Sequence, residues 1–118
     1  MILADTSVWI ELFRRGDRAL QDLLNEGKVI THEFVLGELA CGWLHDRTGT
    51  LLLLRRLPAL APARHEEVMD LVKLNRLHSL GLGWIDMHLL AAARLGHCAL
   101  YTRDRRLAEA AKNLHLGM

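Results

Sequence analysis

Residues 2–10, ILADTSVWI, decide the reading of this chain. Ile2, Leu3 and Ala4 form a short apolar run that reads as a buried strand opening the fold, and the run stops at an acid, Asp5. Thr6 or Ser7 is placed to cap a helix, and Val8, Trp9, Leu12 and Phe13 give that helix an apolar side. An aspartate at the carboxyl end of a strand stands where open parallel sheets bind ligands.

Working outward, the pattern predicts alternating helices and short strands. Gly16 breaks the first helix, and residues 18–26 repeat the helical period up to a stop at Gly27. Residues 28–31 read as a second strand. Thr31 can cap a helix over about 33–44, and another helix covers about 49–57 before Pro58. Leu60 and Ala61 suggest a very short strand, and 63–78 a long amphipathic helix. Gly81 and Gly83 loosen the chain, and Asp86 opens a helix over 87–95. Residues 97–102 read as a strand, Asp104 caps a helix over about 105–114, and Leu116 adds a terminal strand residue. Strands separated by single or paired helices imply an α/β fold with a small, mainly parallel sheet flanked by helices, as one domain over 1–118. Such a small sheet leaves an apolar helical face that oligomerisation would cover.

With 118 residues, 51% apolar and 25% charged, the chain has the balance of a globular domain rather than a disordered one. Fifteen Lys and Arg nearly cancel 14 Asp and Glu, so bulk charge neither announces nor excludes a nucleic-acid partner. The distribution is uneven: residues 1–46 carry eight acids and four bases, residues 87–118 five bases and two acids. Cys41 and Cys98 lie in apolar runs and read as reduced, buried thiols. The N-terminal stretch lacks a basic n-region, and no apolar run approaches 18 residues, so the expectation is a cytoplasmic protein without a membrane span.

The chemistry concentrates in four acids. Asp5, Asp86 and Asp104 stand at strand or loop ends that adjoin helix starts, where capping is the alternative use. Glu38 has Phe34, Val35, Cys41 and Gly42 around it at helical spacing and is expected on an apolar side, needing Arg94, a proton or a metal. If the four converge, a cation must offset their repulsion, and an all-oxygen set suits Mg²⁺ or Mn²⁺ rather than structural zinc. Thr6 and Ser7 are expected to support a ligating carboxylate or to cap a helix, and Thr102 shares a strand side with Asp104. Arg103, Arg105 and Arg106 are candidate phosphate contacts or a plain solvated face. Trp9, Trp43 and Trp84 are expected in core or interface, with Trp84 in a flexible loop the best stacking exception, and His32 is expected at the surface. No glycine-rich nucleotide-binding motif is present.

These residues resemble a known family. ILADTSVWI, GELACG at 37–42, DMHLLAAA at 86–93 and LYTRDRRL at 100–107 are similar, in order and spacing, to the strands and acids of PIN-domain ribonucleases, in particular the small toxins of VapBC-type toxin–antitoxin pairs. Some relatives have a further acid shortly after the fourth; here Leu107 stands three residues beyond Asp104. The resemblance implies a Mg²⁺- or Mn²⁺-dependent endoribonuclease that cuts transfer or ribosomal RNA. It implies a homodimer, inhibition by a VapB-type antitoxin seated near the acids, and contact with DNA only through that antitoxin. Asp5, Glu38, Asp86 and Asp104 would then be catalytic and metal-holding, with Thr6, Ser7 and Thr102 in support. Water would attack phosphorus in line and leave a 5′-phosphate. Two other readings stand beside it: transfer of a phosphoryl group through Asp5 as nucleophile, and a non-catalytic PIN-like scaffold that works by protein contacts.

Overall fold

Ile2, Leu3 and Ala4 form the middle strand of the sheet, with Leu3 and Ala4 fully buried in the apolar core. In the computed structural model, which describes residues 1–118, this strand β1 (Ile2–Ala4) is followed by α1 (Thr6–Arg14), α2 (Arg18–Asn25) and β2 (Val29–Ile30). Then come α3 (Glu33–Cys41), α4 (Arg47–Arg55), α5 (His65–Leu74), α6 (Trp84–Leu95), β3 (Ala99–Tyr101) and α7 (Arg105–Asn113). The strand order is β2-β1-β3, and both pairings are parallel, with Leu3 opposite Ile30 on one side and Leu100 on the other. The expected α/β class with a small parallel sheet flanked by helices is therefore the observed one.

The order has a consequence for function. The first crossover leaves β1 for one side of the sheet and the next returns to its other side. The crevice where a doubly wound sheet changes direction thus opens at the end of β1, immediately before Asp5.

The core is one cluster of 23 buried apolar residues, including Leu3, Val8, Leu20, Leu90, Leu100 and Leu107. Helix α6 is its central element. Met87 through Ala93 are all buried, and the run of three alanines lets the helix approach its neighbours closely.

Several expectations shift. The helix over 63–78 is shorter, His65–Leu74, and Arg76 and Ser79 adopt left-handed backbone beyond it. The strand at Leu60 and Ala61 is reduced to a single bridge between Thr31 and Ala59, and the terminal strand residue to a bridge between Leu100 and Gly117. Trp84 is not in a loop but opens α6, packed against His65 and His88. Trp9 is buried as expected, whereas Trp43 is 83% exposed because α3 ends before it, at Cys41. Cys98 is buried, but Cys41 is exposed, since Val35 and Leu39 form the inward side of α3. His32 is fully buried rather than superficial: its Nδ1 accepts from the Phe34 amide at 2.9 Å and caps α3.

A buried acid ties the first half of the chain to the last strand. Asp17 caps α2 through the Leu20 amide at 2.9 Å and accepts from the Tyr101 hydroxyl and the Arg103 guanidinium. Burial alone would raise its pKa, but the Leu20 amide, Tyr101 and Arg103 together outweigh that and hold it below the ordinary aspartate range. A depressed pKa stabilises the fold above the unfolded value and loses that contribution as pH falls through the folded one. Asp17→Asn is therefore expected to be about 1–3 kcal/mol less stable than the parent near neutral pH, and the gap is expected to narrow as pH drops below the aspartate range. Urea unfolding curves at a series of pH values measure this; a gap independent of pH contradicts it.

Candidate metal centre

Asp5 is the only acid of the four that β1 itself delivers, and it is buried, at 6% exposed. Its Oδ1 accepts from the Ser7 hydroxyl at 2.6 Å and, at 3.4 Å, from the Val8 amide that starts α1. Its Oδ2 accepts from the Thr102 hydroxyl at 2.7 Å. The Ser7 oxygen in turn accepts from the Arg103 amide, and the Thr102 oxygen from the Asp104 amide, each at 3.0 Å. An ionised carboxylate can only accept, so each hydroxyl gives its single proton to Asp5, while the two amides occupy lone pairs on the hydroxyl oxygens. The end of β3 thus holds both hydroxyl oxygens in place beside the carboxylate.

Burial pushes the Asp5 carboxyl up; the Ser7 and Thr102 hydroxyls and the Val8 amide pull against that without fully offsetting it. Asp86 lies in the first turn of α6, where its Oδ2 accepts from the Gly83 amide at 3.1 Å. Its pKa is also raised, first by burial and further by the charges of Asp104 and Asp5, with the Gly83 amide opposing. Asp104 caps α7 through the Leu107 amide at 3.1 Å and is exposed. These three acids therefore share one end of the sheet, and capping describes each of them without exhausting it.

Glu38 joins them by a different route. It is exposed, not on an apolar side, because Val35 and Leu39 occupy the inward stripe of α3. It makes no ion pair with Arg94; its Oε1 accepts from the Thr6 hydroxyl at 2.7 Å, next to Asp5 in the chain. Thr6, Ser7 and Thr102 thus all donate to acids of the set. The arginines separate. Arg103 is held by Asp17 at 3.0 Å, Arg106 lies over Gly81 where a Cβ would strike its guanidinium, and Arg105 is exposed on the first turn of α7.

As the side chains stand, no three acids, histidines or cysteines close to coordination distance around one point. Asp86 and Asp104 instead turn toward the amides of their own helices. The donor set nonetheless fits a hard divalent cation. Its ligands are all oxygen and like-charged, and Asp5 Oδ2 keeps a lone pair free. The sequence pattern does not single out Asp17, and it suggests a superficial His32, whereas the structure buries both. Asp17 stands ahead of the helical period as a cap would, but nothing local signals Tyr101 and Arg103 as its partners.

Comparison with known proteins bears on the family and the fold. The family model described as PIN domain matches residues 2–113. Ribonuclease VapC32 of Mycobacterium tuberculosis, from strains CDC 1551 / Oshkosh and ATCC 25618 / H37Rv, is 43% identical over 111 residues, 93% of this chain and 90% of the relative. The crystal structure of PAE2754 from Pyrobaculum aerophilum superposes with a TM-score of 0.63 at 18% identity, covering 99% of this chain and 87% of that one, and shows the shared fold.

A buried carboxylate whose pKa is raised penalises the folded state at neutral pH, and the penalty vanishes once both states are protonated. Asp5→Asn in EDTA is therefore expected to melt higher than the parent near neutral pH, by about 4 °C for each ~1 kcal/mol relieved, with the advantage fading below the aspartate range. Calorimetric melting at neutral and acid pH measures it; a variant that melts lower at neutral pH contradicts it.

Proposed function

The chain belongs to the PIN-domain family and to its VapC-type ribonuclease toxins, and on that premise we propose that Asp5, Glu38, Asp86 and Asp104 hold a divalent cation, Mg²⁺ or Mn²⁺, for endonucleolytic cutting of RNA. The observation that carries this reading is the buried Asp5 carboxylate, oriented by two hydroxyls and facing Asp86 and Asp104 across the end of the sheet. A cation bound there offsets negative charge on a phosphodiester and activates water. Asp5 needs to present an oxygen in one direction, and Ser7 and Thr102 hold it so. Thr6 fixes Glu38 at the rim, and Asp104 and Asp86 supply charge close to Asp5. Arg105 reaches solvent beside Asp104 and is the base best placed to meet an RNA phosphate; Arg103 offers only the guanidinium edge that Asp17 leaves free.

The substrate class is structured cellular RNA, transfer or ribosomal, by the family's pattern. A groove of about 440 Å³ lined by Ile10, Phe13, Arg14, Leu39 and Trp43 runs up to Glu38. It suits an apolar segment of a VapB-type antitoxin, which would cover the acids and carry the DNA-binding part. Leu74 and Leu95, exposed on α5 and α6, suit the face of a homodimer. No helix is long and apolar enough to cross a membrane.

Total cellular RNA incubated with the purified chain tests the reading. Discrete cuts bearing 5′-phosphates are expected with Mg²⁺ or Mn²⁺ and none with EDTA. Asp5→Asn is expected to abolish cutting, and Ser7→Ala or Thr102→Val to slow it about 10–100-fold. Arg105→Ala is expected to raise KM with kcat held and to lower the salt slope by about one. Full activity in Asp5→Asn overturns the assignment.

A further inference from the structure

Asp17 is the one acid buried as deeply as Asp5, at 4% exposed, and it lies outside the acidic set. Four donors reach its carboxylate. These are the Leu20 amide at 2.9 Å, the Tyr101 hydroxyl at 2.7 Å, and the Arg103 Nε and Nη2 at 3.1 and 3.0 Å. Capping α2 needs only the first, and Asn or Ser would serve as well there without the cost of burying a charge. The other three donors come from two residues of one segment, Tyr101 at the end of β3 and Arg103 just beyond it.

That segment alternates. Tyr101 and Arg103 turn to Asp17, whereas Thr102, between them, turns to Asp5 at 2.7 Å and takes the Asp104 amide at 3.0 Å. The Arg103 amide meanwhile donates to Ser7, the second hydroxyl on Asp5. One side of the strand exit is gripped by Asp17, and the other side supplies one support of Asp5, Thr102, while the Arg103 amide braces the second, Ser7 of α1. Tyr101, half-buried, loses its bond to the buried Asp17 carboxylate if it swings away, and the charge-assisted Arg103 pair resists rotation two residues on.

We infer that Asp17 is a positioning residue for RNA cleavage: by holding Tyr101 and Arg103 it fixes the exit of β3, so that Thr102 and Ser7 orient the Asp5 carboxylate. The kinetic part of this inference rests on the nuclease reading above; the structural part does not.

Hydrogen exchange by NMR on the full chain separates a clamp from a cap. The Arg103 and Asp104 amides are bonded only to the Ser7 and Thr102 hydroxyls, so they report the strand exit directly. In Asp17→Asn these two amides are expected to exchange about tenfold faster relative to the core amides of Leu3 and Leu100. Val68→Ala, which opens a cavity in the core on α5, is expected to speed exchange generally while leaving that ratio and kcat unchanged. In the cleavage assay Asp17→Asn is expected to lower kcat about tenfold with KM within about twofold, and to add little in a Thr102→Val background, since both act through Asp5. The inference is overturned if the Arg103 and Asp104 amides keep pace with the core while only those of α2 loosen. It is equally overturned by an unchanged kcat, or by losses that multiply independently with Thr102→Val. A parent chain that cuts no RNA overturns the nuclease reading, and the exchange ratios still decide whether Asp17 holds the strand exit.

Discussion

A carboxylate buried at the end of the middle strand is the constraint on which the rest of this molecule depends. Asp5 cannot move without breaking β1, and it cannot stay charged without donors. Its two hydroxyl donors come from opposite ends of the chain: Ser7 from the first turn of α1, Thr102 from the exit of β3. The parallel pairing of β1 with β3 is therefore also what completes the site. Fold and chemistry are linked at a single pair of hydrogen bonds whose hydroxyl oxygens the neighbouring amides hold in place.

Capping and metal binding are compatible uses of the same acids. Asp5 and Asp104 cap α1 and α7, and Asp86 closes a capping interaction at the start of α6. A carboxylate has about four acceptor positions, so one amide leaves the remainder available. The positive ends of three helix dipoles also lie beside the acids and reduce the cost of gathering them in the absence of a cation. The raised pKa values of Asp5 and Asp86 show that this relief is incomplete. A centre built this way gives up stability for function, as active sites commonly do.

The sheet was legible because Ile2–Ala4 is apolar and ends in an acid, and because strands and helices alternate with clear stops. The acids at strand and helix ends were legible for the same reason. What was not legible depended on contacts distant in the chain. Glu38 looked apolar-facing from its neighbours at helical spacing, but Thr6, 32 residues away, holds it at the rim. His32 looked superficial because histidine usually is, yet burial and its capping bond to Phe34 place it inside. Asp17 carried no signal of its own; its grip on Tyr101 and Arg103 spans 84 and 86 residues, beyond any local pattern. The exposed Trp43 follows from α3 ending three residues earlier than its period suggested, and the exposed Cys41 from the inward stripe of Val35 and Leu39.

Titration of Mn²⁺ into the parent chain and into Asp5→Asn, followed by calorimetry, tests the central claim most directly, because it asks whether the oriented Asp5 carboxylate gathers a cation independently of any RNA. Saturable binding to the parent and its loss in Asp5→Asn, with both proteins folded, is the predicted result. Equal binding to both proteins, or none to either, would contradict a metal centre organised by Asp5.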